Sequence, residues 1–323
     1  MKQFPHVQPT LRLARGIVFA SLFAAGSAIA GNPPATAAQA IPAAAGSNQT
    51  TEVGILQVER HGKHGTPIIL VPGLASGAWV WDDTVRRLQA THVVYVVTLP
   101  GFSGRPAQAG VGMQDALDSL RQLITANKLK HPVVIGHSLG GVLAFALAEK
   151  YPQLLSGVVS IDGLPVFPGT ESMAVAQRPA MAAGIQARMA GVDQAGFVAQ
   201  QLQYMQTIGV LDMDVATRLA ALTAKSDPAA TTRFMADTLQ WDLRSDLPKI
   251  SVPVLVLSPF NPADGAAQGI DEAAKTGYYR GLMAGTPQLE VLSISPSRHF
   301  AMVDQPAKVA AAIDGFLGKL SPR

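Results

Sequence analysis

Apolar residues fall in this chain in two alternating patterns. Short runs dominated by aliphatic and β-branched residues occur at 67–71 (PIILV), 93–99 (VVYVVTL), 132–135 (PVVI), 157–161 (GVVSI), 253–257 (PVLVL) and 289–294 (LEVLSI). Runs of this length and continuity predict strands buried on both faces. Between them the apolar positions take helical spacing. Residues 113–127 place Leu117, Leu120, Leu123 and Ile124 on one stripe. Residues 79–90, 142–150 and 309–320 also read as helices, the second stopping before Pro152. Residues 53–60 read as one leading strand, followed by a turn at 61–65. Strands alternating with helices predict an α/β fold with a mostly parallel sheet covered on both faces.

The alternation breaks between Leu164 and Leu247. Strand signals vanish, and helical stretches rich in Ala, Gln and Met appear at about 172–190, 194–208, 215–224 and 228–239. This segment, about 165–246, is expected to be a helical cap inserted after the strand ending at Ile161. A cap there lies over the carboxyl ends of the strands, where open α/β sheets bind ligands.

The run Pro132-Val133-Val134-Ile135-Gly136-His137-Ser138-Leu139-Gly140-Gly141 carries the chemistry. Gly136, Ser138 and Gly140 form G-x-S-x-G between a predicted strand and a predicted helix. In that context the glycines admit a sharp turn that exposes the serine at its apex. Ser138 is therefore the candidate nucleophile, and a serine hydroxyl needs a base to act as one.

Together with Pro72-Gly73-Leu74 and Arg298-His299-Phe300 after the last strand, these residues resemble the serine hydrolases of the α/β-hydrolase fold, from about Val53 to the end. The resemblance implies a Ser-acid-His order along the chain, with His299 as base. It implies backbone N–H donors of Leu139 and Leu74 as the oxyanion hole, and catalysis without cofactor or metal. The reading takes Asp162 as the acid, with Asp264 as the alternative. The common family position follows residues 253–257, where Asn261 stands and Asp264 comes three later. The alternative position is the end of the preceding strand, where Asp162 stands, and Asp271 is a third candidate. The remaining histidines, His137 among them, read as ordinary packed or solvated side chains. The loop Leu99-Pro100-Gly101-Phe102-Ser103-Gly104 reads as structural.

Composition narrows the substrate. Hydrophobic residues make up 48% of the chain and charged residues 15%, enough for a sizeable core. The absence of cysteine removes disulfides, thiol catalysis and Cys-ligated metal. The first thirty residues hold Lys2, Arg12 and Arg15 and no acid, so without them the formal charge of +3 falls to about 0. That gives no electrostatic case for nucleic acid, and no basic cluster suggests a polyanionic substrate. Cap methionines (Met173, Met181, Met189, Met205, Met213, Met235), with Trp79, Trp81, Phe167, Phe197 and Trp241, are candidates to line an apolar pocket. The reading is a serine carboxylesterase acting on a small or medium apolar ester. Lactone, amide or C–C bond hydrolysis are alternatives on the same triad, as is a slow-turnover receptor.

Residues 1–30 read as a secretory signal: a basic start, the apolar stretch 16–30, and Ala28-Ile29-Ala30 as a small-x-small cleavage site. Cleavage after Ala38, or retention as an anchor, is the alternative. Residues 31–51, rich in Ala, Pro, Gly and Ser, read as a flexible linker, and residues 52–323 as the hydrolase domain. The expectation is a periplasmic or secreted protein with no membrane association after signal cleavage.

Overall fold

The computed structural model describes residues 49–320; the expected signal and most of the expected linker lie outside them. The strands are β1 (Gln49–Val53), β2 (Leu56–His61), β3 (Pro67–Val71), β4 (Val93–Thr98), β5 (Val133–His137), β6 (Gly157–Ile161), β7 (Val254–Pro259) and β8 (Leu289–Ile294). They form one sheet in the order β1-β2-β4-β3-β5-β6-β7-β8. β1–β2 and β2–β4 pair antiparallel, and every other pair is parallel. The expected mostly parallel sheet is present, with a hairpin added at one edge.

That hairpin corrects two boundaries. The stretch 53–60 is not one strand: Gly54, at φ +57°, turns the chain between Val53 and Leu56, which pair across the turn. β1 begins at Gln49, inside the segment read as linker.

Alternate strand residues feed two separate cores, as period-2 geometry requires. Ile69, Val71, Val134 and Val158 face one core, with helices α2 (Met113–Ala126) and α3 (Leu139–Lys150) against them. Ile68, Leu70, Val133, Ile135 and Val159 face the other, beneath α1 (Asp82–Leu88) and α11 (Pro306–Lys319). α3 is buried almost all round, since it runs beneath the middle of the sheet.

The insertion between β6 and β7 holds four helices: α4 (Arg178–Met189), α5 (Gln194–Tyr204), α6 (Met213–Thr223) and α7 (Pro228–Gln240). Asp193, Asp212 and Asp227 cap the last three, each accepting backbone N–H bonds from the first turn. α5 ends in a π-helical turn, Met205–Gly209. The cap is anchored at its base: Met205, Val210, Ala216 and Ala220 belong to the same core as α11. Between β7 and β8 stand two helices the apolar pattern did not predict, α8 (Pro262–Gln268) and α9 (Glu272–Leu282). The short α10 (Ala301–Asp304) precedes α11.

Candidate active site

Ser138 sits where β5 turns into α3. Its backbone is at φ +53°, ψ −118°, a conformation that L-residues rarely adopt. Two features hold it there. The Ser138 N–H donates to the Ile161 carbonyl at 2.9 Å, and the Ser138 carbonyl accepts from Gly141 N–H at 2.9 Å. The flanking glycines are demanded by contact: a Cβ on Gly136 would lie 2.1 Å from the Gly140 carbonyl oxygen, and one on Gly140 2.1 Å from that of Val71. Leu139 is the first residue of α3, so its N–H has no partner within the helix.

The loop after β3 passes against this turn. A Cβ on Gly73 would stand 3.1 Å from Ser138 Cβ, which places Pro72-Gly73-Leu74 alongside the serine. Ser76 N–H closes a turn on the Gly73 carbonyl, and Ala75 takes φ +56°. Ser226 Oγ, from the cap, donates to the Ala75 carbonyl at 2.9 Å and accepts from Ser103 N–H at 2.9 Å. Asp227 N–H donates to Gly101. The loop at 99–104 thus braces the cap and the Leu74 loop together.

His299 lies in the loop between β8 and α10. Its Nδ1 is 2.5 Å from Asp162 Oδ2. Asp162 follows β6 directly, in a left-handed turn at φ +52°, with its N–H donating to Leu257 at 3.1 Å. Its second oxygen accepts the hydroxyl of Tyr279 from α9. Burial first, and the Asp162 charge second, push the Tyr279 phenol well above its ordinary value, so it remains a donor. Asp264, the other candidate acid, is turned elsewhere. It binds Arg298 through both oxygens, Nε to Oδ2 at 2.8 Å and Nη2 to Oδ1 at 2.9 Å. That guanidinium holds the Asp264 carboxyl below the usual carboxylate range. Asp271 is the N-cap of α9, accepting from Ala274 N–H.

Three site residues were not singled out by the sequence. Tyr279 was hidden because its helix was. Tyr204 packs edge-on to the His299 ring, with centroids 6.0 Å apart. His137, read as an ordinary packed histidine, is fully buried with its ring 4.6 Å from that of His299. Its Nε2 lies 3.0 Å from the His299 carbonyl, an acceptor, which fixes the His137 proton on Nε2. Burial, and then the neighbouring imidazole charge, hold His137 well below its ordinary pKa, so it stays neutral. Only its adjacency to Ser138 in the sequence hinted at this placement.

Ser138, His299, Asp162, Leu74 and Leu139 all line one cavity of about 430 Å³ between sheet and cap. Of the proposed apolar lining, Met189, Met235, Phe167, Phe197 and Trp241 reach it. Met205 and Trp81 are core residues instead, and Met213 is exposed. Gln200, Gln203 and Tyr204 of α5 add polar edges. Among the described residues no group of three or more His, Asp or Glu is placed to hold a metal ion.

The chain is 30% identical over 206 residues to the pimeloyl-[acyl-carrier protein] methyl ester esterase of Vibrio atlanticus, covering 60% of this chain and 75% of that protein. Several other curated relatives match over less than half of their own length. Among solved structures, a thermophilic esterase from Thermogutta terrifontis superposes with TM-score 0.67 at 22% identity, over 84% of this chain and 98% of that one. The enol-lactonase of Burkholderia xenovorans LB400 gives TM-score 0.59 at 18% identity, over 84% and 100%. Both show the shared fold. The model of the Alpha/beta hydrolase family matches residues 68–312, and this chain is a hydrolase of that family.

Proposed function

We propose that this protein is a serine carboxylesterase working through Ser138, His299 and Asp162. The observation that carries the reading is the 2.5 Å bond from His299 Nδ1 to Asp162 in the cavity that Ser138 lines. With Nδ1 committed to a carboxylate, Nε2 is the ring nitrogen left to take a proton from Ser138 Oγ. The alkoxide attacks the ester carbonyl, and the N–H groups of Leu139 and Leu74 receive the developing oxyanion. His299 then protonates the leaving alcohol. Water, deprotonated by the same Nε2, releases the acid and restores Ser138. Asp162 stabilises the imidazolium in both halves.

The substrate is a small or medium ester of apolar character. The cavity volume falls within the range of small-molecule sites, and Phe167, Phe197, Met189, Met235 and Trp241 give it an apolar wall. The esterase relative supports an ester as the cleaved bond. Export rests on residues 1–30, and N-terminal sequencing of protein recovered outside the cytoplasm tests it. The catalytic reading is tested by a fluorophosphonate followed by peptide mapping. Stoichiometric modification at Ser138, with ester turnover lost in Ser138→Ala, is the expected result. Undiminished turnover in Ser138→Ala, or a label elsewhere, overturns the assignment.

A further inference from the structure

The three residues that carry the candidate base are bound to the cap, not only to the sheet. His299 N–H donates to the Ile208 carbonyl at 3.1 Å, and Phe300 N–H to that of Gly209 at 2.9 Å. Arg298 Nη1 donates to the carbonyls of Gln206 at 2.8 Å and Val210 at 3.2 Å. All four acceptors belong to the π-helical turn that ends α5 or to the residue after it. A helix end leaves its last carbonyls without internal partners, and here the His299 loop supplies the donors. Asp304 adds a further tie, accepting Arg298 N–H at 2.8 Å on one oxygen and Leu211 N–H at 2.9 Å on the other.

Arg298 is the centre of this arrangement. Its Nε and Nη2 face Asp264 in a bidentate pair, which sets the plane of the guanidinium and aims Nη1 at the cap. Asp264 stands on α8, after β7, on the segment where relatives of this fold commonly carry the acid. With Asp162 already on His299, that carboxylate is available to hold Arg298.

We propose that Arg298, oriented by Asp264, is a positioning residue that fixes the catalytic geometry of His299 by docking its loop onto the π-turn of α5. The inference rests on the assignment of His299 as base. The consequence is specific: the α5 end of the cap does not swing clear of the base during turnover, because moving it moves His299. Tyr204, Gln200 and Gln203 stand on the same helix and face the cavity, so the wall they form is registered to His299.

The test compares wild type with Arg298→Met, Arg298→Lys and Asp264→Asn. Fluorophosphonate labelling counts competent sites, and kcat and KM are measured on a short-chain p-nitrophenyl ester. Arg298→Met is expected to lose about 10–100-fold in kcat per labelled site, as misplacement of a catalytic group does, while KM stays within about threefold. Arg298→Lys keeps the charge opposite Asp264 and is expected to recover part of the loss. Asp264→Asn is expected to fall between wild type and Arg298→Met. A second readout needs no turnover: the low-field Nδ1–H proton resonance of His299, absent in His299→Gln, is expected to broaden in Arg298→Met through faster exchange. Wild-type kcat per labelled site in Arg298→Met overturns the proposal, as does a loss of activity that merely tracks the labelled fraction. An unchanged resonance overturns it too. If wild type itself neither labels at Ser138 nor turns over esters, the catalytic reading fails instead, and the resonance alone then reports whether Arg298 holds the loop.

Discussion

At the scale of single residues, the candidate nucleophile was legible because its signal is local, and the candidate base because of its place after the last strand. G-x-S-x-G is a steric requirement written into five consecutive positions, and it needs no tertiary knowledge to recognise. The acid was not legible in the same way. Position after a strand favoured Asp162 over Asp264 and Asp271 without showing what any of them touches, and the fold brings a different partner to each: His299, Arg298 or the first turn of α9. Asp162→Asn keeps the shape and removes the charge that, on the proposed mechanism, stabilises the imidazolium. We expect kcat to fall by about 10³–10⁴-fold, as removal of a triad acid does, with the label at Ser138 slowed in parallel.

At the scale of elements, the parallel strands were read well, the edge strand β8 included, and the antiparallel hairpin at the other edge was not. β1 and β2 merged into one strand in the sequence because a lone glycine, Gly54, was the only break between two runs of mixed polarity. α9 was missed for a different reason. Its sequence, EAAKTGYYRGL, carries Gly277 and Gly281, which lower helix propensity by about 1 kcal/mol each, and it shows no long apolar stripe. The start signal was present nonetheless: Asp271 as N-cap, followed by Glu272 in the first turn. Asp271→Ala removes that cap and is expected to cost about 1 kcal/mol, lowering the melting midpoint by about 2–4 °C in a chain of this size. Because α9 stays packed through Tyr279 and Leu282, kcat is expected to remain within about twofold. A collapse of kcat comparable to that of Asp162→Asn is the result that contradicts a purely capping role.

At the scale of the whole molecule, the candidate site lies at the carboxyl edge of the sheet, and α3 connects it to the core on one face. Its N-terminus carries Ser138, and its C-terminus carries a group with an unusual titration. Glu149 is buried near the end of that helix. Burial first, and the neighbouring Asp246 second, push its carboxyl up to about 8, against smaller opposing effects of Lys249 and Lys150. The direction of the stability effect follows from proton binding. Below about pH 4.5 the carboxyl is protonated in the folded and unfolded chain alike, and it contributes no slope. Between there and about pH 8 the unfolded chain gives up this proton while the folded chain retains it, so folding becomes less favourable as pH rises. Above that range the folded protein holds a buried carboxylate, and the loss is complete. Glu149→Gln keeps the shape and removes the titration. The variant is expected to melt close to wild type at pH 4.5 and about 3–6 °C above it at pH 9, a range reduced for partial solvent screening of the carboxyl. Thermal melts across that range measure the slope directly. Parallel curves for the two proteins contradict a proton retained by Glu149 in the fold, while a gap that opens with rising pH locates the retained proton beneath the sheet, at the end of α3 opposite Ser138.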